Sequence, residues 1–289
     1  MDAFLNQAFA GLSMASILLM VALGLAIIYG AMGVINLAHG EFVMLGAYSA
    51  WLLQTYLGLG ILVALPVVFL MVALVGLLVE RGVVRWLYHR PLDTILATWG
   101  VAILLQQLVR SVIGPESRYV AGPSILDGNL VLGGVVMSNY RIFLIFFSLA
   151  VVAATWFLLK RSEFGTKLRA VIQNKEISEC YGIRADRVYS LAFAYGAGLA
   201  GMAGALITPL VSVTPTMGTY LVVDAFLVVI VGGVGSLLGT VAAAGLVGEA
   251  TAMFSMLMND TIGRIAVLLA IIFLIRFKPM GLFPDKVRR

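Results

Sequence analysis

The chain has 289 residues, of which 62% are hydrophobic and 11% charged, with a formal net charge of +5 and a mean hydropathy of +1.05. A soluble domain carries about 25% charged residues, so this composition excludes an ordinary water-soluble protein and belongs to a polytopic membrane protein. A lone cysteine, Cys180, excludes an intrachain disulfide and a cysteine-based metal cage, and the positive charge has to be placed relative to a membrane before it is read as a nucleic-acid footprint.

Apolar segments run at about 8–30, 41–57, 61–80, 93–113, 141–159, 188–210, 221–234, 236–257 and 262–277. Several reach the ~20 residues a helix needs to cross the hydrocarbon core, and no sizeable soluble domain fits between them. The expected fold is an all-α polytopic bundle of about 8 to 9 segments, 1–289 forming one membrane domain. The first segment follows Asp2 rather than a basic stretch and lacks a small-residue cleavage site, so a retained helix is expected.

After that segment, "GVINLAHGEFVML" (33–45) sets Asn36, His39 and Glu41 in an apolar context. A charge at the bilayer centre costs about 2.5 to 3.5 kcal/mol on insertion scales, so it normally faces a partner or a watery cavity. Two roles are open. Glu41 would sit well in the first turn of the 41–57 helix, near its positive dipole end, with Asn36 and His39 bonding freed backbone groups; alternatively the three line a translocation path. His39 and Glu41, two residues apart, do not face each other on a regular helix.

"RPLD" opens the fourth segment, where Pro91, Asp93 and Thr94 suit a helix start. Trp99, Gln106 and Gln107 follow, and because adjacent helical residues point about 100° apart, only one glutamine can face a central path. The long loop 114–140 carries Glu116, Arg118 and Asp127. Beyond the uncharged "TPLVSVTPTMGTY", Asp224 lies in a segment too short for a comfortable span, which ends in "VGGVGSLLGT".

Of the 19 Lys and Arg, three lie in 81–90, seven in 160–187 and five in 276–289. The positive-inside rule puts these three regions in the cytoplasm, with the N-terminus outside and the C-terminus inside, provided that 221–257 makes two passes. "YGAMGV" and "VGGVGSLLGT" contain several glycines and no Lys or Arg. They read as broken or half-spanning helices, where unwound backbone lines a polar cavity inside the protein; close packing by small residues is the structural alternative.

No catalytic set emerges. The two histidines, His39 and His89, lie far apart, and there is no H-E-x-x-H, G-x-S-x-G or G-x-x-x-x-G-K-[ST]. The chain is not expected to be an enzyme or to hold a cofactor or metal.

The longest charged stretch, "KRSEFGTKLRAVIQNKEISECYGIRADRV" (160–188), reads as a short exposed helix with stops. Asn174 caps it, Lys175 and Glu176 open it, Glu179 and Tyr181 lie along it, and Gly182 supplies a left-handed end. It is longer than a simple connection requires, as a docking element for a cytoplasmic partner would be.

"YGAMGVINLAHGEFVMLGAY", "GTKLRAVIQNKEISECYGIRADRV" and "VVIVGGVGSLLGT", in this order across essentially the whole chain, resemble the permease subunits of ATP-binding-cassette importers for branched-chain amino acids and urea. "RPLDTILATWGVAILLQQLVR" and "QNKEISECYGIR" resemble the urea permease more. The resemblance implies a subunit of the bacterial cytoplasmic membrane, paired with a second, related permease. A binding protein would deliver solute from outside, and two cytoplasmic ATPase subunits, holding ATP and Mg, would grip the segment from Asn174 to Gly182 as the coupling helix. Urea is the expected solute and branched-chain amino acids the alternative. An ion-coupled transporter, with Glu41, Asp93 or Asp224 carrying a proton or sodium ion, also accounts for the buried acids but leaves the docking-like loop idle.

Overall fold

The computed structural model describes residues 2–88, 90–132, 135–278 and 281–283; His89 and part of the basic C-terminal stretch lie outside these. Among the described residues there are eleven α-helices: α1 (Asp2–Met32), α2 (His39–Leu57), α3 (Ile61–Gly82), α4 (Pro91–Val112), α5 (Asn139–Arg161), α6 (Glu163–Gln173), α7 (Lys175–Cys180), α8 (Ala185–Ile207), α9 (Met217–Gly232), α10 (Leu237–Leu257) and α11 (Asp260–Phe277). Each of the nine apolar segments is a helix, and the protein is a polytopic all-α membrane protein. Six helices are long and apolar enough to cross a membrane: α1, α3, α4, α5, α8 and α10.

Three details depart from the sequence reading. The first helix starts at Asp2 rather than near residue 8, and the short segment 221–234 begins at Met217 and stops at Gly232. The charged loop holds two helices rather than one. Finally, the loop 114–140 contains a small antiparallel hairpin, β1 (Asn129–Leu132) with β2 (Val135–Ser138), in register from Asn129↔Ser138 to Leu132↔Val135.

The helices α1 and α8 lie at the centre, largely buried, with α2 against α8 and α9. Helix α3 covers α8, α5 and α10 cover α1, and α11 covers α10. Lipid tails are as apolar as leucine, so helices in a membrane gain from close packing rather than from hiding apolar surface, and small residues permit that approach. Helix α8 offers a glycine to each neighbour. A Cβ built on Gly196 would lie 2.6 Å from the Gly24 carbonyl oxygen of α1, and one on Gly204 would lie 1.9 Å from the Val43 carbonyl oxygen of α2. On α2 itself, a Cβ on Gly46 would lie 2.0 Å from the Gly201 carbonyl oxygen.

Helix α4 lies at the periphery, resting on α2 and on the short 3-10 turn Val84–Leu87. Its inward stripe is Thr94, Thr98, Ala102, Leu105 and Val109, all buried, the three-and-four spacing of one helix face. The 3-10 turn and α6–α7 lie at the end of the bundle that carries the basic loops, called here the basic end. At the opposite end the Gln54 side chain holds Ala121 by two hydrogen bonds, Nε2 to O at 3.0 Å and N to Oε1 at 2.8 Å. There too Arg118 and Val213 pair through their backbones, and the Arg118 guanidinium sits 5.1 Å from the Trp51 ring centre.

Candidate functional site

Helix α1 ends where Gly33 takes a left-handed φ of +65°, its N–H returning to Tyr29 O at 2.8 Å. The chain then doubles back as non-helical backbone before α2 begins. The His39 Nε2 reaches Val21 O at 3.0 Å, and Val21 lies eleven residues before Met32. At 1.5 Å per residue, α2 therefore starts about 16 Å up the side of α1. Val34, Asn36 and Ala38 of the unwound stretch are buried, so their polar groups need partners inside the protein. Asn36 Oδ1 accepts from Ala38 N at 3.1 Å, and Thr98 Oγ1 accepts from Leu37 N at 3.2 Å.

A second break follows α9, where Gly233 and Gly235 have φ of +95° and +81°. Leu282 N donates to Val231 O at 2.7 Å and Phe283 N to Gly232 O at 3.3 Å, so the C-terminal segment satisfies the final carbonyls of α9. Ser236 Oγ caps α10 by accepting from Gly239 N at 3.1 Å. The second break meets the last turn of α1: a Cβ on Gly30 would lie 3.2 Å from Gly235 Cα. Higher up, the two helices that adjoin the breaks also meet at their starts. A Cβ on Gly40 would lie 2.1 Å from Gly218 O, and one on Gly218 would lie 2.3 Å from Gly40 O.

Each of these starts carries a polar residue directly after its glycine, Glu41 on α2 and Thr219 on α9, and α4 supplies the group that joins them. Gln106 Nε2 donates to Glu41 Oε1 at 2.7 Å and to Thr219 Oγ1 at 3.0 Å. Glu41 is 2% exposed. The positive ends of two helix dipoles converge on its carboxylate. Its other oxygen, Oε2, is buried with no hydrogen-bond partner among the described residues, as are Asn36 Nδ2 and His39 Nδ1. Because Val21 O can only accept, the His39 proton lies on Nε2 and Nδ1 presents a lone pair. A carboxylate oxygen, an amide N–H and an imidazole nitrogen are thus left without partners in the closed junction.

The residues singled out in the sequence fall into two groups. Asn36, His39, Glu41 and Gln106 belong to the buried junction, with His39 turned to α1 and Glu41 to α4. Gln107 points away, to Ser111 at 3.4 Å. Asp93, Thr94, Trp99 and Asp224 stand outside the junction. The Asp93 side chain is largely exposed, 3.8 Å from Arg90 in the first turn of α4. Buried Thr94 closes the same turn, its Oγ1 donating to Leu87 O and Arg90 O, both at 2.8 Å. Trp99 is 55% exposed, because it sits one residue, hence about 100°, past the inward Thr98. Half-buried Asp224 lies on α9 five residues beyond Thr219, without a hydrogen bond or ion pair among the described residues. Thr98 and Thr219 were not singled out in the sequence. The signal that could have found Thr219 is the repeated pattern of a glycine followed by a polar residue, Gly40-Glu41 and Gly218-Thr219.

At the basic end, α6 turns Gly165, Leu168 and Val171 to the bundle. The short helix α7 is capped as its sequence suggests: Asn174 Oδ1 accepts from Ile177 N at 2.9 Å, and Gly182 takes φ of +80°. Lys175 lies 4.0 Å from Asp186, Glu176 and Glu179 are exposed, and Ile177 and Tyr181, four residues apart, are exposed apolar groups on α7 and its C-terminal edge. Behind them Glu80 is fully buried, its carboxylate accepting from the hydroxyls of Tyr88 and Ser190. Burial and the neighbouring Glu80 carboxylate push the Tyr88 phenol above its ordinary range.

A family model described as branched-chain amino acid transport system / permease component matches residues 7–276. The high-affinity branched-chain amino acid transport system permease protein BraD of Pseudomonas aeruginosa is 28% identical, over 96% of this chain and 95% of its own. The corresponding protein LivH of Escherichia coli is 29% identical over the same shares. The protein LivM of Escherichia coli is 28% identical over 93% of this chain and 68% of its own. No solved structure is significantly similar to the chain.

Proposed function

Because the chain belongs to the family of branched-chain amino acid transport permease components, we propose that it is the membrane-spanning subunit of an ATP-binding-cassette importer of branched-chain amino acids. The similarity of the chain to both LivH and LivM supports a second, related permease as its partner, the two forming the path together. The basic end faces the cytoplasm of a bacterial inner membrane, in keeping with the distribution of Lys and Arg. Two ATPase subunits dock there on α7, and an extracytoplasmic binding protein delivers solute at the end formed by the 114–140 loop.

One observation carries the reading of the path: the free Oε2 of buried Glu41, at the point where α2 and α9 begin. An amino acid arriving as a zwitterion brings an ammonium group, which a carboxylate oxygen receives through a charge-assisted hydrogen bond. Its carboxylate finds Asn36 Nδ2 and the positive ends of the two helices. Urea is neutral and forms no ion pair with such an acceptor, and the family and relatives are described by branched-chain amino acid transport, so the amino-acid alternative replaces urea as the favoured solute. Binding of ATP by the partner subunits shifts the permeases between outward and inward states through differential contacts at the basic end.

The test is uptake of labelled leucine and labelled urea, in parallel, by the reconstituted complex of this chain with its neighbouring permease, ATPases and binding protein. ATP-dependent leucine uptake supports the reading. Urea uptake without leucine uptake sinks the solute assignment, and uptake that ignores ATP but collapses with an ion gradient sinks the importer mechanism.

A further inference from the structure

A cavity of about 690 Å³ opens at the basic end, between the last turn of α3, the 3-10 turn, the end of α7 and the start of α8, and four of its lining side chains are arginines: Arg81, Arg85, Arg184 and Arg187. Arg85 is paired with Asp186, which also lies 4.0 Å from Lys175. Arg81, Arg184 and Arg187 have no ion pair among the described residues. Glu179 is the other acid of the lining, so the cavity keeps an excess of positive charge. The N-terminal turn of the 23-residue α8 adds its dipole. The walls are fixed from behind, because buried Glu80 ties Tyr88, beside the 3-10 turn, to Ser190 on α8.

The surroundings say what kind of anion fits. Leu70, Leu74 and Leu78 of α3 are exposed by 66%, 58% and 63%, and Arg81 follows three residues later on the same helical face. An exposed apolar stripe about 12 Å long therefore runs into the cationic cavity. Trp86, on the 3-10 turn, is 77% exposed, at the level where interfacial tryptophans sit among headgroups. We propose that this cavity binds the headgroup of an anionic phospholipid, with Arg81, Arg184 and Arg187 around the phosphate and the acyl chains along Leu70, Leu74 and Leu78. Basic pockets between spanning helices on the cytoplasmic side serve this purpose in general. The site requires that the chain spans a membrane and is independent of which solute it carries.

The experiment uses the complete transporter complex in nanodiscs of phosphatidylcholine containing brominated phosphatidylglycerol. The readouts are quenching of Trp86, judged against a Trp86→Phe variant, and lipid retained on native mass spectrometry. The expected result is one retained phosphatidylglycerol per chain, with affinity for it about 30-fold weaker in the double variant Arg81→Gln/Arg187→Gln, from ~5-fold per basic charge. The matching Arg→Lys variant retains most of the binding and shows that the fold is intact. Equal retention by the Gln variant and the parent overturns the proposal, as does equal retention of brominated phosphatidylcholine. Displacement of the lipid by millimolar glycerol phosphate assigns the cavity to a soluble phosphate instead. Protection of the arginines from modification by the ATPase subunits alone, without lipid retention, assigns it to an acidic protein segment; either result overturns the lipid site.

Discussion

Gly46 faces Gly201 so closely that an alanine at position 46 tests the packing of the bundle directly. Its Cβ would stand 2.0 Å from the Gly201 carbonyl oxygen and 2.5 Å from both the carbonyl carbon and Cα. Ordinary contact needs 3.4 Å or more, so α2 and α8 would have to part by about 1.4 Å, and no side-chain rotation relieves a clash with backbone. Overpacking of this kind costs about 1 to 3 kcal/mol, which for a chain of this size lowers the thermal midpoint by roughly 2 to 5 °C. Gly245→Ala is the control, since nothing lies within 4 Å of its built Cβ in the middle of α10, and alanine there gains about 1 kcal/mol of helix propensity over glycine. The assay is the thermal midpoint of the purified complex in detergent, followed by loss of the monodisperse peak. Equal midpoints for Gly46→Ala and Gly245→Ala would refute the claim that α2 and α8 pack through their glycines.

Asn174→Ala removes the side chain that caps α7; a loss of about 1 kcal/mol should fray this six-residue helix and lower leucine-stimulated ATP hydrolysis several-fold, while the thermal midpoint of the bundle hardly moves. Cys180 is exposed at the end of α7 and is the lone thiol of the chain, so a thiol-to-amine cross-linker of short reach should join this chain to an ATPase subunit without any engineered cysteine; cross-links solely to the binding protein would place α7 on the wrong side. Tyr88→Phe leaves one oxygen of buried Glu80 without its donor, and a hydrogen bond to a charged group is worth about 1.5 to 3 kcal/mol. A fall in thermal midpoint with retained uptake is expected, and an unchanged midpoint would mean that Glu80 finds water instead.

The elements were legible where their cause is local. Nine apolar runs became nine helices because length and hydropathy decide spanning segments, and the glycines at 33, 233 and 235 announced breaks because their left-handed φ suits little else. The Asn174 cap and the Gly182 stop were also readable, since both act within a few residues. What was not legible depends on distance along the chain. Glu41 is 65 residues from Gln106, which in turn is 113 from Thr219, and no periodicity joins them. Asp93 and Trp99 looked equivalent to Gln106 as polar or amphipathic residues of one segment, but the inward stripe of α4 passes them by. Glu80 was not singled out in the sequence, and only its contact with Ser190, 110 residues away, makes it a buried anchor.

The central claim, that Glu41 receives the ammonium of the transported amino acid, is tested most directly by Glu41→Gln. This substitution keeps the shape and a bond to Gln106 within reach but removes the charge. A hydrogen bond to a charged group exceeds a neutral one by about 1 to 2 kcal/mol, so the maximal rate of ATP-dependent leucine uptake by the reconstituted complex should fall roughly 5- to 30-fold, with the affinity of the binding protein for leucine unchanged. Uptake equal to that of the parent complex would contradict the account and leave Glu41 as a helix-start residue alone.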